Sequence, residues 1–204
     1  MLYTSLAGAF LTLVLTACSL LLAPADASAQ PMLTSRFLSY LPSSILGSEL
    51  SENASTAGTG MEFGFTLTSP KSSILIGASL ILEDYTISSS EVGVNEFSLN
   101  TVGFTTDIRY RFNRGFIQPY LSAQVGVNSL SVEALIEGET ETLADAGILI
   151  IPSGGFMFNV LDLVMIDLNI RSHRSFSGNI MLSNGLETRG FNGVGVGLGA
   201  SLMF

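Results

Sequence analysis

The sequence has a single cysteine, Cys18, a single histidine, His173, and no tryptophan. One cysteine excludes an intramolecular disulfide and a cysteine-based zinc site. One histidine excludes a metal site built on histidines, so the only remaining metal chemistry is weak calcium binding by carboxylate-rich loops. No cofactor and no metal is expected. Charge is scarce as well. Asp, Glu, Lys and Arg make up 12% of the 204 residues, about half the usual soluble share. Basic residues are the scarcest, eight against 17 acidic ones, for a formal charge of −9. Phosphate contacts need clustered Lys and Arg, so nucleic acid is excluded as a partner. With 47% hydrophobic residues, so little charge implies a large apolar surface that needs no water.

The first long apolar run is an address. Residues 6–22, LAGAFLTLVLTACSLLL, precede Pro24 and the small residues Ala27-Ser28-Ala29 before Gln30. An apolar core, a helix breaker and small residues at −3 and −1 read as a cleaved secretory signal, although MLYTS carries no Lys or Arg. Leu15-Thr16-Ala17-Cys18 also resembles a bacterial lipobox, which would make Cys18 a lipidated N-terminus. The expected division is a signal peptide over residues 1–29 and one barrel domain over 30–204.

The apolar period in the remainder is two. Met61, Phe63, Phe65 and Leu67 alternate with Glu62, Gly64, Thr66 and Thr68. Val102, Phe104, Ile108, Tyr110 and Phe112 alternate with Gly103, Asp107, Arg109 and Arg111. The closing stretch GVGVGLGASLMF alternates apolar residues with glycine. Strict alternation means strands with one apolar and one polar face. Residues 146–170 could pass for a membrane helix, but Pro152, Gly154, Gly155, Asp162 and Asp167 interrupt them, and two strands joined at Asn159–Asp162 fit better. Eight strands are expected near 32–41, 60–69, 73–85, 97–112, 115–128, 147–158, 163–173 and 191–204. Short turns at Pro70-Lys71-Ser72, Asn113-Arg114-Gly115 and Asn159–Asp162 alternate with long polar connections at 42–59, 86–96, 129–146 and 174–190.

An even number of such strands, with tight turns at one end and long loops at the other, predicts an all-β fold: an eight-stranded antiparallel transmembrane β-barrel, an up-and-down meander. Lipid cannot hydrogen-bond a strand edge, so the sheet must close. Tyr110, Phe112, Phe116, Phe156, Phe158 and Phe204 gather at the tight-turn end as one interfacial girdle.

Asp107-Ile108-Arg109-Tyr110-Arg111-Phe112, followed by Pro119-Tyr120-Leu121, resembles the "YRF … PYL" hairpin of small eight-stranded outer-membrane barrels, the OmpA/OmpX-like and porin-family group. Leu202-Met203-Phe204 resembles the C-terminal signal read by the barrel assembly machinery, with Leu202 and Phe204 as its letters. The resemblance implies the outer membrane of a Gram-negative-type bacterium, contact with outer-membrane lipid and lipopolysaccharide, and a monomer. No OmpA-type peptidoglycan-binding domain is expected after the last strand.

Eight strands leave an interior just wide enough for side chains. The inward row holds Arg36, Glu62, Glu83, Asp107, Arg109, Arg111, Gln118, Gln124, Asp167, Asn169 and Arg171. Both signs are present, as buried charge requires. The expected result is a charge network that plugs the lumen, formed by Arg36, Glu62, Asp107, Arg109, Arg111, Asp167 and Arg171; a narrow porin-like channel is the alternative. The 129–146 stretch carries Glu133, Glu137, Glu139, Glu141 and Asp145 without a base. It reads as a solvated acidic loop, or one bridged by divalent cations to lipopolysaccharide phosphates.

The stretch HRSFSGNIMLSNGLE resembles the active-site segment of the PagL-type lipid A deacylases. That resemblance implies Ser175 as nucleophile, His173 as base and Glu187 as the group that orients it. Phe176 stands where that family has Asn, and the loop Asn falls on Ser183, beside Asn184. The period points His173 into the lumen, whereas an enzyme acting on lipid needs it outside. The bland alternative is a lone lumen histidine bonded to a carboxylate. The primary reading is therefore non-enzymatic, with a structural or surface-interaction role.

Overall fold

Each alternating stretch is a strand, and each strand pairs with the next in sequence. The computed structural model describes residues 30–45, 54–69, 72–89, 94–136, 139–161, 163–181 and 187–204. The strands are β1 (Gln30–Ile45), β2 (Ala54–Thr68), β3 (Ile74–Ser89), β4 (Val94–Arg111), β5 (Ile117–Ile136), β6 (Glu139–Leu161), β7 (Val164–Met181) and β8 (Glu187–Met203). All pairs are antiparallel, and β8 pairs with β1 to close the barrel. The expected signal segment 1–29, Cys18, Lys71, Glu137, Asp162, Ser183 and Asn184 lie outside the described residues.

The hydrogen-bonded partners spiral. From Leu33 they run through Phe65, Ala78, Thr106, Val125, Ile150, Arg174 and Asn192 and return to β1 at Ser44. That return lies eleven positions along β1, and it crosses the one-residue irregularity between Pro42 and Ser44. A stagger of this size in eight strands goes with a strand tilt of about 40°.

The strands run well past their expected upper ends. Most of 42–59, 86–96, 129–146 and 174–190, expected as long loops, is strand, and β6 begins at Glu139. The reason is physical. High on the barrel the outward positions are largely polar, so the apolar alternation fades while backbone pairing continues. The lower turns are short, as expected. Asn113 makes one of them by accepting the amides of Arg114 (2.6 Å) and Gly115 (3.0 Å) on its side-chain oxygen.

The exterior is apolar. On β4 the outward row is Val102, Phe104, Ile108, Tyr110 and Phe112; on β8 it is Val194, Val196, Leu198, Leu202 and Phe204. The one threonine in the β4 row, Thr106, donates to the Val125 carbonyl at 3.1 Å. From Val102 to Phe112 the row rises roughly 25 Å at about 3.3 Å per residue and this tilt. Outward positions turn polar above it at Ser39, Thr59, Asp84, Asn100, Ser129 and Arg174, all exposed. At the lower rim Tyr110 packs edge-on against Phe112, with ring centres 5.1 Å apart, and Phe116 and Phe204 stand exposed beside that end.

Candidate functional site

The interior is where this chain spends its charge. Alternation turns Arg36, Glu62, Glu83, Asp107, Arg109, Arg111, Asp167 and Arg171 inward, and none is more than 6% exposed. Four cations face four carboxylates, so the described lumen is neutral when His173 is uncharged.

Two carboxylates organise the lower set. Glu62 accepts from Arg36 Nη1 (2.6 Å) and Gln124 Nε2 (2.8 Å) on one oxygen, and from Arg171 Nη2 (2.6 Å) on the other. Asp167 Oδ2 accepts from Arg36 Nη2 (2.8 Å), Arg36 Nε (3.2 Å) and Arg109 Nη1 (3.2 Å). Its Oδ1 accepts from the Tyr120 hydroxyl (2.7 Å) and Asn169 Nδ2 (3.2 Å). Arg109 also donates to Asp107 Oδ2 at 3.0 Å, and its guanidinium lies 4.5 Å from the centre of the Tyr120 ring. Charges taken out of water persist only where geometry and extra hydrogen bonds compensate them, and here Glu62 and Asp167 are multiply bonded while Asp107 has the one bond from Arg109. Arg111 stands apart. It donates to Gln118 Oε1 (3.2 Å) and to the carbonyls of Ser72 (2.8 Å) and Ser69 (3.3 Å), tying the lower end of β4 to the turn after β2.

The glycines of β8 make room for this network. A Cβ on Gly199 would sit 2.5 Å from Arg36 Cγ and 2.6 Å from the Ser35 carbonyl; one on Gly195 would sit 2.5 Å from the Tyr40 ring. Gly199→Ala is therefore expected to destabilise the barrel by about 1–3 kcal/mol through overpacking, measured by urea unfolding in phospholipid vesicles. An unchanged midpoint would show that Arg36 can retreat freely.

A second polar cluster lies higher. The Tyr40 hydroxyl donates to Glu83 Oε1, and His173 Nδ1 lies 3.0 Å from the same oxygen. Tyr40 and Tyr85 both meet the His173 ring edge-on, with centres 5.8 and 6.5 Å away. Asn128 Nδ2 donates to Ser175 Oγ at 2.7 Å. His173 and Ser175 are both fully buried inside the wall, on the face opposite the exposed apolar rows. The carboxylate found on His173 is Glu83 of β3, a partner the sequence reading did not pair with it. Glu187 begins β8 opposite Met181, and its side chain is not among those described. Glu133 is exposed, and Asp145 Oδ1 accepts the amide of its neighbour Ala146. Among the described residues no His, Cys, Asp or Glu group is arranged to hold a metal ion.

Apolar side chains also face inward, between and beyond these clusters, in addition to the polar inward row that the sequence predicts. Met32, Leu75 and Met165 form a buried floor with Met203 against it. Leu38 and Ile81 are wholly buried; Leu38 lies between Arg36 and Tyr40 along β1. Leu99, Leu130 and Val132 point inward above Asn128. Leu75, Ile81 and Met165 have apolar neighbours on both sides in sequence, where a period of two is invisible, whereas Leu99, Leu130 and Val132 alternate with polar residues and turn their apolar row inward.

Solved structures share this fold. Neisserial surface protein A superposes with a TM-score of 0.50 at 14% identity, over 85% of this chain and 97% of that one. Ail of Yersinia pestis, solved with the heparin analogue sucrose octasulfate, gives 0.53 at 13% identity, over 87% and 99%. The outer membrane protein OprG from Pseudomonas aeruginosa gives 0.53 at 11% identity, over 87% and 96%. At such identities the likeness is one of fold. No protein-family model matches the chain, and no curated protein matches it in sequence.

Proposed function

We propose that the chain is an outer-membrane β-barrel of a Gram-negative-type bacterium, with a closed lumen and a structural or surface-interaction role. Three features support the location: the apolar belt, a rim of Tyr and Phe, and the barrel fold it shares with outer-membrane proteins. In this reading residues 1–29 are a cleaved export signal and 30–204 the barrel. The assembly machinery reads Leu202 and Phe204, and membrane lipid and lipopolysaccharide surround a monomer.

The observation that carries the closed lumen is the neutral, multiply bonded charge layer between the Met32–Leu75–Met165 floor and the Leu99–Leu130–Val132 layer above. An ion path needs continuous water, and both apolar layers interrupt it. Purified protein in planar bilayers is expected to give no conductance steps. Reproducible steps from the wild-type chain would overturn the closed lumen. Heat-modifiable gel mobility separately checks that the barrel has formed.

A further inference from the structure

Above the apolar belt the upper part of β6 is paired on one side only among the described residues. β6 stays paired with β5 up to Glu139 opposite Ile136, but its pairing with β7 stops at Gly147 opposite Ser177. β7 continues to Met181 with β8 alone, and their register shifts between Phe176 and Ile180, so the β7–β8 hairpin departs from β6. Residues 139–146 therefore have a strand partner on one side only among the described residues. The direction of their main-chain groups follows from the register. The Asn159 amide donates to the Phe116 carbonyl, so odd-numbered residues of β6 aim at β5, and the unbroken pairing carries that phase up to Glu139. The even-numbered residues Thr140, Thr142, Ala144 and Ala146 aim N–H and C=O at the open side, and all four are exposed. Asp145 already takes the Ala146 amide at 2.8 Å. Thr140, Thr142 and Ala144 present a ladder above it.

An exposed strand edge is a template for another strand. Which strand is decided by charge. The edge reads ETETLADA, with Glu139, Glu141 and Asp145 and no base, in a chain of net charge −9. Like charges disfavour a second copy of this chain, whereas an extended segment carrying Lys or Arg gains main-chain hydrogen bonds and charge complementarity together. We propose that the open edge of β6 is a strand-addition site for an extended basic segment of another protein. The proposal rests on the surface-interaction reading above, which puts this edge outside the membrane.

The test uses the full barrel in zwitterionic lipid nanodiscs, with a short peptide alternating lysine and valine and its glutamate counterpart as probes. Hydrogen exchange at the Thr140, Thr142 and Ala144 amides is expected to slow about tenfold or more with the lysine peptide, and not with the glutamate one. Glu139→Gln with Glu141→Gln is expected to weaken peptide binding about three- to tenfold. Thr142→Pro is expected to abolish the protection. It removes one N–H on the side away from β5 only, as Pro152 already does at another even-numbered position lower on the same strand. Heat-modifiable mobility of that variant shows that the barrel still forms. Three results would overturn the proposal: no slowing, equal slowing by both peptides, or slowing that survives Thr142→Pro. Protection without peptide that grows with protein concentration would overturn it in favour of self-pairing. If the membrane reading itself is wrong, nanodisc insertion and the heat-modifiable band fail first.

Discussion

Replacing Glu62 by leucine is expected to cost about 3–5 kcal/mol of barrel stability, the usual penalty for leaving buried charge without its partner. Glu62 bonds Arg36, Arg171 and Gln124, and both guanidinium groups are almost wholly buried. Arg36 retains Asp167 when Glu62 is lost, but Arg171 loses the one carboxylate it bonds among the described residues. Glu62→Gln keeps an oxygen for the arginines and should cost less. The decisive comparison is the double replacement Glu62→Leu with Arg171→Met, which removes one charge of each sign and leaves Arg36 bonded to Asp167. Desolvation offsets most of the attraction in such a network, so an apolar filling of similar volume is expected to come within about 2 kcal/mol of wild type. Urea unfolding in phospholipid vesicles measures all three. A Glu62→Leu barrel as stable as wild type would mean that water reaches these arginines, and the closed lumen would fall with it. A silent single mutant that also conducts would establish a pore.

The parts legible in sequence and those that were not differ in physical kind. Alternation is local, and a charged residue in an apolar strand can only face the lumen, so Arg36, Glu62, Asp107, Arg109, Asp167 and Arg171 could be placed without knowing any partner. Who meets whom is not local. Glu83 and His173 are 90 positions apart, and the stagger around the barrel brings them together. A sequence reading therefore placed His173 in the lumen and could not name its carboxylate. The inward Ile81 escaped because apolar Leu80 and Leu82 flank it, and the inward Leu38 because it directly follows the outward Phe37. The open edge of β6 escaped for another reason: it depends on where β7 stops following β6, and no residue type marks that point. The acidic residues of 129–146 were visible, but they read as a loop because strand pairing beyond the apolar belt leaves no hydrophobic period.

Arginine at Leu198 is expected to destabilise the barrel by about 2–4 kcal/mol, and arginine at Thr59 by no more than about 1 kcal/mol. Both positions face outward, so packing within the lumen does not distinguish them. What differs is height. Leu198 is 59% exposed, pairs with Leu168 and Phe37, and lies midway between the Phe204 rim and the polar positions above. Thr59 pairs with Asp84 and Ser39 on the upper border of the apolar belt. In water an outward Leu→Arg change is close to neutral, because the guanidinium is hydrated and apolar surface is lost from solvent. In hydrocarbon the same change strips hydration from a charge. The size and depth dependence of the effect therefore report the solvent around the exterior, independently of any resemblance. Measured in vesicles, equal and small costs at both sites would remove the membrane from this account while leaving the barrel intact. A large cost at Leu198 that falls off toward Thr59 would trace the apolar belt as the surface that lipid covers.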